Sequence, residues 1–120
     1  MAATTVHELR LEDKVKLQGI LHVLDLFSNL DRDMPLQMIR TMLLVCIKEG
    51  QGPNEVSREL GVANAVSSRH LSDLGEIDRY HNDGYNLVEQ RVDVTDRRYR
   101  RSYLTAKGVT FRNELLRAVR

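Results

Sequence analysis

One stretch of this chain departs from the rest in its period. From Leu87 the sequence alternates as "LVEQRVDV", passes a turn at "VTDR", and returns as "RYRRSYLT". Alternation at a period of two on both sides of a turn is the pattern of a β-hairpin. Tyr99, Arg101 and Tyr103 fall on one side of the returning strand, and Arg100, Ser102 and Leu104 on the other. The other patterned segments repeat at the helical period, so the fold class is mainly α with a small β-hairpin. That hairpin carries Arg97, Arg98, Arg100 and Arg101, four arginines in five positions.

The helices follow from spacing and punctuation. "HELRLEDKVKLQGILHVLDLFSNL" predicts a first helix, within an N-terminal segment spanning residues 1–31. Leu17, Ile20, Leu21, Leu24 and Phe27 keep the i, i+3, i+4, i+7 rhythm of one face. Val23, Leu26 and Leu30 widen that stripe beyond what a small domain needs to cover itself, which is the mark of a helix that is central or shared with a second subunit. The second helix runs from "DRDMPLQMIR" into the apolar run Met42 to Ile47, with Asp33 the expected N-cap, Pro35 in the first turn, and Gly50 and Gly52 as stops. It is the expected buried centre.

Two short helices come next, within residues 53–77. "PNEVSRELGV" opens on Pro53 and closes on Gly61. "NAVSSRHLSDLGEI" follows, with Asn64 as N-cap and Ser67, Leu71, Leu74 and Ile77 facing inward. Its outward face offers Asn64, Ala65, Ser68, Arg69 and Ser72, small or hydrogen-bonding residues around one arginine. After the turn-rich "HNDGYN" comes the hairpin, residues 87–104. Thr105 then caps a last amphipathic helix, residues 105–120, carrying Val109, Phe111, Leu115, Leu116 and Val119.

Composition closes off several classes. A chain of 120 residues makes one domain, large enough for a proper core. No run of about 18 uncharged apolar residues is present, so no membrane partner is expected. His7, Glu8, Arg10, Glu12, Asp13 and Lys14 crowd the start, unlike a secretory leader. The single Cys46 has no internal partner, which suits a reducing compartment, and the cytoplasm is the expected location. Cys46 lies between Val45 and Ile47 with no base nearby and reads as a buried, inert thiol. His7, His22, His70 and His81 lack metal-ligand spacing. The glycines form no phosphate loop and the serines no nucleophile motif, so neither a cofactor nor an enzymatic reaction is expected.

The net charge of +1 hides an asymmetry. Residues 79–120 hold ten Lys and Arg against five Asp and Glu, whereas residues 1–78 hold eight against twelve. Positive charge gathered at one end is the electrostatic footprint of a nucleic-acid surface. A helix about 10–12 Å across fits a major groove about 12 Å wide, and small outward residues let it sit close to the base edges. Arg69 is then placed to pair with guanine or phosphate, and Asn64 and Ser68 with bases or backbone. The arginines of the hairpin would meet phosphates or a narrow minor groove.

These residues resemble a known family. "LVEQRVDVTDRRYRRSYLTAKG", Leu87 to Gly108, is similar to the wing of MarR-type winged helix-turn-helix regulators, whose usual string is "GLVxRxxxxxDRRxxxxxLTxxG". "NEVSRELGVANAVSSRHLSDLG" fits that family's helix-turn-helix more loosely. The resemblance implies that Asp96 positions Arg98 for the minor groove and that Ser68 and Arg69 stand where the family has a Thr-Arg pair. It implies a double-stranded-DNA-binding transcriptional regulator that acts as a homodimer. Two departures stand out. "EIDRYHNDGYN", Glu76 to Asn86, intervenes before the wing, either prolonging the helix to Gly84 or forming a loop; a similar insert occurs in MarR-like proteins of phage and plasmid origin. Only about one helix follows the wing, so dimerisation is expected to rest mainly on the first and last helices. Two rivals remain: a protein-interaction module docking on the transcription machinery, and an accessory factor that binds DNA without sequence preference.

Overall fold

The computed structural model describes residues 4–119. Residues 1–3 and 120, the ends of the first and last expected segments, lie outside the described residues. Helix α1 spans Leu11–Leu30, α2 Leu36–Ile47, α3 Pro53–Leu60 and α4 Asn64–Asp73; strands β1 (Val88–Val92) and β2 (Arg100–Leu104) precede α5 (Ala106–Ala118). The expected order of a mainly α chain with one hairpin is present. None of the described helices is long and apolar enough to cross a membrane.

Helix α2 is the centre, as its composition required. Met38, Thr41, Met42, Leu44 and Val45 are buried, and the core continues through Val56, Leu71, Leu74, Leu87 and Leu104 to Phe111 and Leu115. Ile47 stays exposed, so the helix is not covered all round. Its expected N-cap is displaced. Pro35, not Asp33, occupies the cap position, and its carbonyl accepts from Met38 and Ile39. Proline has no N–H to satisfy, so it suits the boundary just before a helix as well as the first turn. Asp33 instead donates its N–H to the Asp31 carboxylate at 2.9 Å.

Helix α1 begins at Leu11 rather than at His7. Residues 7–10 are exposed and bury nothing to offset the entropy of ordering them, while Glu12 and Asp13 favour a start where their charge meets the helix dipole. Only Gly19 and Phe27 of α1 are buried. Phe27 meets Phe111 edge to face at 5.0 Å, an aromatic contact worth about 0.5–1.5 kcal/mol beyond area burial. Gly19 lets the two helices touch, because a Cβ there would lie 2.5 Å from the Ala118 carbonyl oxygen. Leu17, Ile20, Leu21 and Leu24 remain exposed, so much of the stripe read from the sequence has no partner within the chain.

The hairpin is antiparallel, with Val88 opposite Leu104 and Arg91 opposite Arg101. A third segment joins it. Gly50 donates to the Ser102 carbonyl at 2.8 Å and Ser102 to the Gln51 carbonyl at 2.9 Å, so the chain leaving α2 pairs with β2. The sequence reading saw only a helix stop in these glycines. Thr105 caps α5 as expected, its hydroxyl accepting from Gly108 N–H at 3.0 Å.

Gly19→Ala is expected to lower the urea midpoint by the equivalent of about 1–3 kcal/mol, the usual cost of forcing extra volume into a closed contact. An unchanged midpoint would mean that α1 and α5 are not held together as described.

Candidate nucleic-acid interface

Helix α4 presents a clean division of faces. Ser67, Leu71 and Leu74 are buried, whereas Asn64, Ser68 and Ser72 recur every four residues along the opposite side. Two expectations about its ends are corrected. The N-cap is Ala63, and Asn64 is the first helical residue, its side chain making no cap bond. The helix stops at Asp73, so Ile77 is 58% exposed rather than inward, and residues 76–86 form a loop with an isolated Ile77–Asp83 bridge. Leu74 takes the C-cap, and its carbonyl accepts from both Leu87 and Val88. Those bonds bring the hairpin alongside α4 immediately after the loop.

An open groove results. Pro53, Asn54, Asn64, Ser68 and Ser72 line one wall, and Gln90, Asp96, Arg98, Tyr99 and Arg100 the other. The structure therefore brings together six of the residues singled out from sequence: Asn64, Ser68, Ser72, Asp96, Arg98 and Arg100. The N-termini of α3 and α4 both open into it, and neither has a side-chain cap. Unpaired first-turn N–H groups and the positive end of the helix dipole favour anions there. Ala65 and Arg69 sit on the adjacent exposed flank of α4, outside this groove.

The wing's arginines divide into two sets. Arg101 is engaged within the chain, donating to Asp93 of the wing at 2.8 Å and to the Gly50 carbonyl of the segment after α2 at 2.8 Å. Arg91, its cross-strand neighbour, pairs with Glu89 and lies over the Tyr103 ring at 4.5 Å. Like charges directly opposite on a hairpin repel, and these separate acceptors draw the two guanidiniums apart. Arg97 and Arg100 have no ion pair among the described residues, and Arg98 is 90% exposed with one partner, Asp96. The expected Asp96–Arg98 pair is present: Asp96 accepts from Arg98 Nε and from its backbone N–H, both at 3.1 Å. The Arg98 side chain first, then its N–H, holds the Asp96 carboxyl below the usual range.

At the wing tip, Asp93 accepts from Thr95 N–H and Oγ1 and from Arg101, while Asp93 N–H donates to the Tyr99 carbonyl. The Thr95 N–H, then its hydroxyl, then Arg101 push the Asp93 carboxyl down to about 2. Cys46 is half-buried and its thiol is pushed up to about 11, chiefly by burial, which leaves it protonated at neutral pH. Among the described residues no three His, Cys, Asp or Glu side chains are grouped to hold a metal ion.

Sequence reading did not place Gln90, Tyr99, Pro53 or Asn54 at the DNA-facing surface. Gln90 had a signal. It shares the Val88 side of β1, and that side runs from the core at Val88 and Leu104 out to the groove at Gln90 and Arg100. Asn54 had none, since nothing local shows where the start of α3 will face.

No protein-family model matches the chain, and no curated protein sequence does. Solved structures with the same fold do exist. A mutant of Staphylococcus aureus MepR bound to an oligodeoxyribonucleotide superposes with a TM-score of 0.61 at 16% identity, over 92% of this chain and 76% of that one. Wild-type apo MarR from Escherichia coli gives 0.62 at 19% identity, over 96% and 78%. FabT from Streptococcus pneumoniae in complex with DNA gives 0.62 at 19% identity, over 88% and 71%. The chain thus has the winged helix-turn-helix fold of these proteins.

Because Asp93 is held low, its contribution to the wing tip is complete above the ordinary aspartate value of about 3.9 and is lost only as pH falls through about 2. The Thr95 amide resonance should titrate with a midpoint near 2, and Asp93→Asn should abolish that titration. A midpoint near the ordinary value would contradict the capping arrangement.

Proposed function

We propose that this winged helix-turn-helix chain is a MarR-type transcriptional regulator that binds double-stranded DNA sequence-specifically as a homodimer. The observation that carries the reading is one groove with the small polar face of α4 on one wall and the wing's exposed Arg98 and Arg100 on the other. Two solved proteins of the same fold are bound to DNA, which supports the same use of the surface here. In this reading α4 enters the major groove through Asn64, Ala65, Ser68, Arg69 and Ser72. Arg97, Arg98 and Arg100 take phosphates and the minor groove, with Asp96 holding Arg98 in line. Arg101 was expected at the DNA as well; its guanidinium is occupied, and we assign it to bracing the wing between Asp93 and Gly50.

The homodimer rests on the open apolar face. Leu17, Ile20, Leu21 and Leu24 of α1 are exposed together with Leu116 and Val119 at the end of the chain. Ile20, Leu116 and Val119 line one apolar hollow with Leu43 and Ile47, and exposed apolar surface of this kind marks an association site. A two-fold dimer would place two α4 helices on half-sites one helical turn apart, roughly 10 bp.

The roles separate by experiment. Arg98→Ala should weaken binding on all duplexes and reduce the slope of log K against log salt by about 1. Arg69→Ala should cost about 1–3 kcal/mol on the preferred site and relax the preference at one base pair. Anisotropy titrations of both variants across several salt concentrations provide the check. Equal losses on every duplex for both variants would remove Arg69 as a base reader, and no DNA affinity in the parent protein would favour the protein-docking alternative.

A further inference from the structure

The loop between α4 and the wing is tied down. The Asp78 carboxylate accepts from Tyr80 and Asn82 N–H groups at 2.8 and 2.9 Å. Gly84 N–H closes onto the Glu76 carbonyl at 2.9 Å. Next comes Tyr85, whose two ends reach in different directions, before Asn86 N–H returns to the Gly75 carbonyl at 2.8 Å. The Tyr85 N–H donates to the carbonyl of Asp73, the last residue of α4, at 3.3 Å. The Tyr85 hydroxyl donates to Asp31 Oδ2 at 2.8 Å, across 54 positions of sequence. Asp31 is the C-cap of α1: its own N–H bonds the Phe27 carbonyl, and its other carboxylate oxygen accepts from Asp33. One half-buried tyrosine therefore links the end of α1 to the end of α4.

We infer that the Tyr85–Asp31 hydrogen bond is a positioning contact that fixes the angle between α1 and α4, and thereby the spacing of half-sites the dimer accepts. The inference rests on the homodimeric DNA-binding reading above. Its physical basis is the difference between apolar and polar contacts. Helix α1 meets α5 through Gly19 against Ala118 and Phe27 against Phe111, and its Val23, Leu26 and Leu30 pack partly buried on the core, whereas the Tyr85 hydroxyl ties its C-terminal end to the segment that leaves α4. A hydrogen bond is directional and loses strength steeply as its angle opens. Leverage makes small rotations matter: α1, at 20 residues, is about 30 Å long, so a turn of about 10° between it and α4 carries its far end about 5 Å relative to α4. That exceeds the roughly 3.4 Å rise of one base pair.

Burial, the bond to Asp31 and the nearby carboxylates push the Tyr85 hydroxyl up to about 12. The Asp33 N–H and then Tyr85 hold the Asp31 carboxyl low. Donor and acceptor therefore both keep their forms throughout the neutral range. The contact is a constant brace under those conditions and carries no pH response.

The test uses the full chain as wild type, Tyr85→Phe, Asp31→Ala, the double variant, and Asp31→Asn, whose amide is able to donate back to the tyrosine oxygen. Duplexes carrying two copies of the selected half-site at graded separations, and one duplex with a single half-site, are titrated, and light scattering follows the assembly. Wild type should show a narrow optimum in spacing. Tyr85→Phe should stay dimeric and folded, lose about threefold to tenfold affinity at that optimum, and bind the flanking spacings almost as well. Its affinity for the single half-site should not change. Asp31→Asn should keep the wild-type profile, and the double variant should be no worse than Asp31→Ala. An unchanged spacing profile in Tyr85→Phe overturns the inference while leaving the DNA-binding reading intact. A loss of equal size on the single half-site also overturns it, since that is general weakening. A wild-type protein that selects no duplex sinks the DNA reading and this inference together.

Discussion

The groove depends on the backbone of Leu87. Its N–H bonds the Leu74 carbonyl at the end of α4, its carbonyl accepts from Thr105 at the start of α5, and its side chain is fully buried. Gly108 packs so tightly on that carbonyl that a Cβ would overlap it. Three elements are thereby registered on one residue: α4, the hairpin, and α5, which carries α1. A buried backbone group of this kind is costly to leave unpaired, so these bonds constrain more than their modest net energies suggest.

Charge is then handled locally. The hairpin segment 87–104 contains five arginines, and leaving all of them unpaired on so small an element would work against its folding. Arg91 finds an acid and a ring inside the wing, and Arg101 an acid inside it and a carbonyl in the segment after α2, which converts two repelling cross-strand charges into bracing. Arg97, Arg98 and Arg100 are left to the solvent, with Arg98 oriented by Asp96. Exposed pairs of this sort add little to stability, so the arrangement is better understood as preorganisation than as a source of folding energy. Helix α1, about 30 Å long, joins this frame through α5 and the core, with Phe27 buried and Val23, Leu26 and Leu30 packed partly buried beside it.

Much of this was legible because it is local. The hairpin, the Thr105 cap, the Gly61 stop and the alternating faces of α4 follow from residues near each other in sequence. The small errors were also local. Asp33 and Asn64 are good capping residues, yet Pro35 and Ala63 hold the cap positions, since where the chain turns is decided by how the helix docks. Ile77 fitted the inward spacing of α4, but Leu74 ends that helix by bonding forward to the hairpin. Alternation told which side of β2 Arg101 would take and said nothing of Asp93 and Gly50 waiting there. The Gln51–Ser102 pairing and the Tyr85–Asp31 bond join residues about 50 positions apart, and no periodicity records such contacts.

The measurement that bears most directly on the account is selection of bound sequences from a random duplex pool at about 150 mM salt, where non-specific phosphate binding is suppressed. The account predicts enrichment of a palindromic motif with half-sites roughly 10 bp apart, because two copies of α4 must be read by two-fold symmetry. Retention of DNA without any enriched motif, or no retention at all, would contradict it.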